Sequence, residues 1–161
     1  MDQGIKRFFD YSSPVSTIRI MDNGSSIISL KFVDNHSNPP SDAVKQETPL
    51  IKKASEQLTA YFSGRLTVFN LPVEVQGTDF QKRVWEVLCA IPYGETRTYK
   101  QIAHAVGCPK GARAVGMANN RNPVAIIIPC HRVIGADGSL TGYASGLPNK
   151  EKLLQLESNH K

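Results

Sequence analysis

The chain has 161 residues, of which 40% are hydrophobic and 20% charged, as expected for a soluble globular protein of one domain or two small ones. No apolar run is long enough to cross a bilayer, no signal peptide is evident, and the three cysteines are too widely spaced for a disulfide framework. The net charge of +5 lies wholly in residues 77–161, and positions 96–136 carry six basic side chains and no acidic one.

The first 76 residues predict a small mixed α/β domain that ends in a linker. Two strand-like runs flank Asn23-Gly24, a dipeptide typical of tight hairpin turns. Thr48 is a predicted N-cap with Pro49 at the first helical position, and the apolar stripe that follows stops at Gly64. The segment RLTVFNLPVEVQG then leads into the second half of the chain.

Residues 77–161 predict a second, mainly helical domain. Thr78 with Gln81, and Thr98 with Gln101, have the spacing of capping boxes and each pair begins a helix. A third helix is expected at about 111–119, and a fourth begins after a glycine-rich loop, at Pro148. Between them, the apolar run VAIII at 124–128 predicts a short buried strand.

The expected fold class is therefore α/β (α+β). A small β-hairpin/sheet-plus-helix domain is followed by a mainly helical domain with a helix-turn-helix and a short active-site strand. The helix-turn-helix prediction rests on two short helices joined by a glycine-containing turn inside the acid-free segment. Such a basic segment suits a polyanion, although a solvated basic face and ordinary helix packing are the alternatives that the pattern leaves open.

The second helix of this pair carries very small side chains. They cannot reach base edges across a wide major groove, but they allow the backbone to approach closely in a narrow minor groove. These residues are Gly111, Ala112, Ala114, Gly116 and Ala118.

The segment NPVAIIIPCHRVIG, residues 122–135, places a thiol beside an imidazole where an apolar run stops. A cysteine reacts as its thiolate and therefore needs a base or a cation nearby. Adjacent side chains of an extended chain point apart, so His131 reaches Cys130 only if the chain turns sharply or a water molecule joins them. A carboxylate should orient the imidazole, and Glu157 is the candidate. An inert buried thiol is the alternative.

Other cysteine chemistries fit this segment less well. Tyrosine phosphatases need a phosphate-binding loop between the cysteine and a more distant arginine than Arg132. Nucleic-acid deaminases need a second cysteine and an HxE motif, which are absent here. Too few ligands lie at usable spacing for a metal site. A papain-like protease lacks its local signature but stays open.

Five motifs, YKQIA, ARAVGMA, RNPVAII, IPCHRVIG and GYASGL…KEKLLQLE, occur in an order similar to that of the methylated-DNA–protein-cysteine methyltransferases, or alkylguanine-DNA alkyltransferases. The resemblance covers about residues 77–161 densely, and the N-terminal half in architecture. It implies direct-reversal DNA repair, in which Cys130 takes the alkyl group from O6 of a guanine flipped out of double-stranded DNA, once and irreversibly. It also implies a monomer that needs no cofactor, metal, membrane or obligate protein partner. The implied location is the cytoplasm, nucleoid-associated in a prokaryote, or the nucleus of a eukaryote.

The resemblance further implies roles for individual residues. His131 would be the base, acting through a water on Cys130, with Glu157 orienting it and Asn122 bracing the turn before it. Arg113 resembles the finger that fills the gap left by the flipped nucleotide. The implied DNA contacts are Tyr99, Lys110, Gly111, Ala112, Arg113, Ala114, Gly116 and Arg121. The implied guanine pocket consists of Tyr99, Val133, Tyr143, Ala144, Ser145 and Gly146.

The chain departs from its relatives in three places. Ala144 stands where many have serine, and Ser145 where side-chain size varies, so the preference for alkyl size is open, as is activity on O4-alkylthymine. No cysteine precedes residue 77, so we expect no structural zinc there. Two rival functions remain: a non-catalytic lesion sensor of the same fold, against which the presence of Cys130 argues, and a cysteine hydrolase, which would turn over repeatedly.

Overall fold

The computed structural model describes residues 5–34 and 36–161 and divides the chain into two units, Met1–Val75 and Gln76–Lys161. The architecture is a mixture of α-helices and small β-sheets, as predicted. None of the helices in the described part of the chain is long and apolar enough to cross a membrane.

A four-stranded sheet forms the centre of the N-terminal unit. Its strands are β1 (Lys6–Tyr11), β2 (Ile18–Asp22), β3 (Ile27–Phe32) and β4 (Ala43–Lys45), in the order β3-β2-β1-β4. The β2–β3 hairpin turns at Asn23-Gly24, which confirms the prediction, and Gly24 takes the positive φ of 98° that this turn needs. Strands β1 and β4 were not predicted: β4 has three residues and pairs parallel to β1 across a long connection.

One face of this sheet is covered by α1 (Pro49–Phe62). The helix begins as its sequence predicts, because the Thr48 hydroxyl accepts a hydrogen bond from the backbone N–H of Ile51 at 3.0 Å. Its apolar stripe is buried against the sheet, mainly on β2 and also on β1. The buried residues of the helix are Ile51, Ala54, Leu58 and Tyr61.

The C-terminal unit contains four helices and one two-stranded sheet. Its elements are α2 (Asp79–Cys89), β5 (Arg97–Thr98), α3 (Tyr99–Ala105), α4 (Ala112–Asn120), a short 3-10 turn at Cys130–Arg132, β6 (Val133–Ile134) and α5 (Leu147–Asn159). Both predicted capping boxes are formed, at Thr78 with Gln81 and at Thr98 with Gln101. Helix α4 packs on α2 and α3, and the Trp85 indole N–H of α2 donates to the Ala118 carbonyl of α4 at 2.9 Å.

The prediction of a strand at 124–128 is wrong. Ile126 has a φ of 70°, and the Ile128 N–H bonds back to the Val124 carbonyl at 3.0 Å, so the segment is a tight turn with an isolated bridge between Ala125 and Ile128. Three of its five side chains are nevertheless buried, which explains why the sequence has the apolar pattern of a buried strand. The regular strand of this region is β6, which follows the cysteine and pairs parallel with β5.

Candidate active site and nucleic-acid interface

Two asparagines hold the chain that leads from the end of α4 to the 3-10 turn at Cys130. Asn119, buried in the last turn of α4, donates from Nδ2 to the Cys130 carbonyl at 3.2 Å. Asn122 donates from Nδ2 to the Ile128 carbonyl at 2.7 Å and accepts from the Val124 N–H at 2.9 Å. The chain between the helix and the cysteine is thus held by side chains where regular backbone pairing is lacking.

Cys130 itself is a buried thiol that is protonated at neutral pH. Burial raises its pKa to about 11, and this effect outweighs hydrogen bonding from the Asn122 and Tyr143 side chains and the positive charge of Lys150, all of which lower it. A thiol in this state is a weak nucleophile. It needs a base that removes its proton as it reacts.

His131, the next residue, lies in a buried network of charged groups. Its Nε2 is 2.6 Å from Glu157 Oε2, and both side chains are almost completely buried. Arg132 donates to the same carboxylate twice, from Nε at 2.8 Å and from Nη2 at 3.0 Å, and donates from Nη1 to the Ile91 carbonyl at 2.8 Å. The backbone N–H of Gly94 also donates to Glu157, at 3.2 Å.

This network determines which nitrogen of His131 can act as a base. A carboxylate that is paired with Arg132 accepts hydrogen bonds and donates none, so neutral His131 carries its proton on Nε2 and leaves Nδ1 as the acceptor. Burial lowers the pKa of His131; the hydrogen bond and charge of Glu157 oppose this shift, while the charges of Arg132 and Lys150 add to it. The imidazole is therefore neutral at physiological pH and free to take a proton.

Lys150 of α5 is the second buried cation of this region. It is completely buried, and its ammonium group donates to the carbonyl of Val133 and, at 2.8 Å, to that of Thr141. Burial lowers its pKa to about 8, and the nearby Cys130 opposes that shift. Lys150 thereby joins α5, the strand that follows the cysteine, and the glycine-rich loop.

The aromatic residues predicted for the pocket lie at the same loop. Tyr99, the first residue of α3, donates from its hydroxyl to the Thr141 carbonyl at 2.8 Å, and its ring lies 5.8 Å from the Lys150 ammonium. The Tyr143 hydroxyl is buried, and burial raises the pKa of this phenol well above its usual value, with the nearby Cys130 adding to the shift. Both tyrosines therefore converge on the region of the cysteine.

The other predicted pocket residues differ in how far they are buried. Val133 is fully buried and offers its carbonyl, which already accepts from Lys150. Ala144 and Ser145 are exposed, with the Ser145 hydroxyl accepting from Asn149 at 3.2 Å, and Gly146 precedes α5 with a φ of 105°.

Helix α4 presents most of the predicted DNA contacts on one exposed side. Arg113 and Ala114 are exposed, while Gly111, Ala112 and Gly116 are partly so. Lys110 and Arg121, just outside the two ends of the helix, are exposed as well. A Cβ added at Gly111 would lie 2.6 Å from the Cys108 sulfur, so glycine is needed for the turn itself, whereas one at Gly116 would meet the Tyr99 ring at an ordinary 3.8 Å.

Sequence reasoning did not assign roles to three buried polar residues at this site: Asn119, Arg132 and Lys150. Arg132 was visible in the PCHR motif, but its partners Glu157 and Ile91 lie 25 and 41 positions away. A lysine in a helix is usually exposed, and nothing in the neighbouring residues indicates that Lys150 is buried.

A cavity of about 410 Å³ opens in the N-terminal unit, lined by residues such as Tyr11, Leu58 and Phe62, and none of its lining residues is a predicted site residue. Among the described residues, no cluster of three or more His, Cys, Asp or Glu side chains is arranged to hold a metal ion.

Comparisons with known proteins agree over nearly the whole chain. Residues 79–159 match the family model for the DNA binding domain of 6-O-methylguanine DNA methyltransferase, and residues 9–75 match that for the ribonuclease-like domain of the same proteins. The methylated-DNA–protein-cysteine methyltransferase of Methanosarcina barkeri is 54% identical over 92% of this chain and 94% of its own length. That of Mycobacterium tuberculosis is 46% identical over 91% and 89%.

A solved structure gives the same result for the fold. The crystal structure of Mycobacterium tuberculosis OGT in complex with DNA superposes with a TM-score of 0.88 at 44% identity, covering 96% of this chain and 94% of that one. With both family models matched and about half of the residues identical to curated relatives, the chain belongs to the 6-O-methylguanine DNA methyltransferase family.

Proposed function

We propose that this protein repairs alkylated DNA directly, by moving the alkyl group from O6 of guanine to the sulfur of Cys130. The observation that carries the assignment is a buried thiol next to a neutral imidazole whose other nitrogen bonds to a carboxylate. Cys89 is exposed and Cys108 half-buried, and no such base adjoins either of them in the chain. Membership of the family supports this chemistry.

The reaction is a single displacement. The thiol proton passes through a water to Nδ1 of His131, and Glu157 stabilises the imidazolium that forms. Sulfur attacks the alkyl carbon, the S–C bond forms as the C–O6 bond breaks, and the bonding pair leaves with guanine, which recovers one proton. The product is a thioether, so each protein molecule reacts once.

Nothing in this sequence of steps calls for a metal or a cofactor. Asn122 holds the turn that leads to the thiol, through its bonds to Ile128 and Val124. Tyr99 and Tyr143, with the backbone of 144–146 and the Val133 carbonyl, surround the base in the pocket. The alkyl carbon must meet the sulfur in line with the C–O6 bond, which requires the guanine to leave the base stack.

DNA binds at α4 through the minor groove. The small exposed residues of the helix allow close approach, Lys110 and Arg121 contact phosphates, and Arg113 enters the stack where the nucleotide has left it. The acid-free segment around this helix supports the assignment, since it presents only neutral and positive groups to the phosphates. The protein acts as a monomer of two domains, 1–76 and 77–161. It works in the compartment that holds the DNA, which is the cytoplasm of a prokaryote or the nucleus of a eukaryote.

Intact-mass measurement after mixing with a duplex that contains O6-methylguanine tests the proposal. We expect one added methyl group per protein, located by peptide mapping on the peptide that contains Cys130. A methyl group found on Cys89 or Cys108 instead would show that the wrong thiol has been assigned. Restoration of more than one guanine per protein molecule would indicate a hydrolase.

A further inference from the structure

Met117 is a large apolar side chain that the protein leaves uncovered. It lies in the middle of α4 with 58% of its surface exposed. Every other residue of the helix from Ala112 to Ala118, except Arg113 and Val115, is alanine or glycine, and Val115 is buried. A single exposed apolar residue is ordinary, so the position of this one decides its meaning.

The helix separates its two faces cleanly. Val115, Ala118 and Asn119 face the interior, where they pack near α2 and the active-site turn. Met117 lies on the opposite face, four residues after Arg113 and three after Ala114, both of which are exposed. Residues four apart on a helix are neighbours on its surface, about 5–6 Å apart at Cβ. Met117 therefore lies one turn from Arg113 on the same exposed face.

The surroundings of this face favour DNA as the occupant. Arg121 and Lys110 flank it, and the chain has no acidic residue between Glu95 and Asp137, so the positive charge matches a phosphate backbone. Minor-groove proteins commonly combine such charges with an apolar side chain that meets sugars and base edges. Methionine suits an irregular apolar surface because its chain is unbranched and its thioether is polarizable.

We propose that Met117 is the apolar DNA contact of this helix, packing into the minor groove beside the step that Arg113 enters. This inference rests on the proposed docking of α4 on DNA. It adds an apolar contact to the phosphate contacts proposed there. A phosphate contact releases counterions, so its contribution falls as salt rises, whereas burial of a methionine releases none. Met117 thus supplies affinity that persists at high salt.

Two substitutions separate the apolar contact from mere bulk. Met117→Ala removes the side chain, and Met117→Gln keeps its length but makes its end polar. Position 117 is exposed in a helix, so neither substitution should prevent folding, and neither alanine nor glutamine disfavours the helix. Val68→Ala, at a side chain 75% exposed in the other unit, is the matched control.

The measurement is the dissociation constant for a duplex at several salt concentrations, read by fluorescence anisotropy. We expect Met117→Ala and Met117→Gln to weaken binding by about four- to twentyfold, the share of a whole methionine's burial that its exposed 58% represents, with the slope of log Kd against log salt unchanged. Val68→Ala should bind like the wild type. The rate of reaction with free O6-methylguanine should be equal in all four proteins, because the base alone does not touch α4.

Three results would overturn the inference: wild-type affinity in Met117→Ala, wild-type affinity in Met117→Gln, or a loss that disappears at high salt. Failure of the underlying assignment looks different. If Lys110→Ala and Arg121→Ala leave the salt slope unchanged while the wild type still binds DNA, then α4 is not the docking helix at all.

Discussion

Gly116 offers a substitution whose effects on stability and on DNA binding should have opposite signs. It lies in the interior of α4, where glycine is less favourable than alanine by about 1 kcal/mol. A Cβ at this position would meet the Tyr99 ring carbons at 3.8 and 3.9 Å, which is ordinary van der Waals contact. Gly116→Ala should therefore raise the free energy of unfolding by about 1 kcal/mol and the melting temperature by a few degrees.

The same methyl group should impair repair. Gly116 is partly exposed and adjoins Met117, so the added methyl group increases the volume of the helix beside its proposed DNA contacts. Forcing extra volume into a packed contact costs roughly 1–3 kcal/mol, or about five- to a hundredfold in Kd. Reaction with free O6-methylguanine should be unaffected, since that substrate needs no docked helix.

Thermal denaturation and fluorescence anisotropy with a duplex measure the two effects on the same samples. Ala114→Gly is the reciprocal control: it should lower the unfolding free energy by about 1 kcal/mol without adding volume to the interface. If Gly116→Ala were more stable and still bound DNA like the wild type, this part of the helix would not enter the groove. If it were less stable, the contact with Tyr99 would be tighter than the structure indicates.

Three further substitutions test the chemistry. Cys130→Ser should abolish alkyl transfer and leave duplex affinity unchanged, and any transfer by this variant, seen in the protein's intact mass, would exclude the proposed mechanism. Arg113→Ala should slow repair of duplex DNA by about tenfold or more, because unstacking a base costs a few kcal/mol, but not the reaction with a free guanine analogue; equal losses would mean that it is no finger. Glu157→Gln should lower stability by about 3–5 kcal/mol in chemical denaturation, since Arg132 is left buried and unpaired. It should also move the acid limb of the transfer rate to lower pH, because the carboxylate raises the pKa of His131 and its removal lowers it further; a limb that moved upward would contradict this.

The strongest local signals in the sequence were read correctly because their causes are local. A capping box needs only a hydroxyl and an amide three residues apart, and both pairs, at Thr78 and Thr98, form as predicted. The hairpin at Asn23-Gly24 and the helix begun by Thr48 have equally short-range causes. The motif IPCHRVIG, with its neighbours in order, was sufficient to identify the family.

Local patterns failed where side-chain hydrogen bonds decide the backbone conformation. The run at 124–128 is as apolar as a strand, yet Asn122 holds it as a turn through Val124 and Ile128, with Ile126 at positive φ. Cys130 and His131 begin a 3-10 segment, so the chain turns sharply at the two adjacent side chains that we propose act together.

The residues that we propose for the reaction, Cys130, His131 and Glu157, were predicted from the sequence itself, since their chemistry belongs to their side chains. The protonation states of Cys130 and His131 were decided by the tertiary structure. Burial raises the pKa of the thiol and lowers that of the imidazole. Arg132 pairs with the buried charge of Glu157, and Lys150 with the buried carbonyl of Val133, and both partners lie many positions away in the chain. Desolvation depends on everything packed around a group, and no stretch of sequence contains that information.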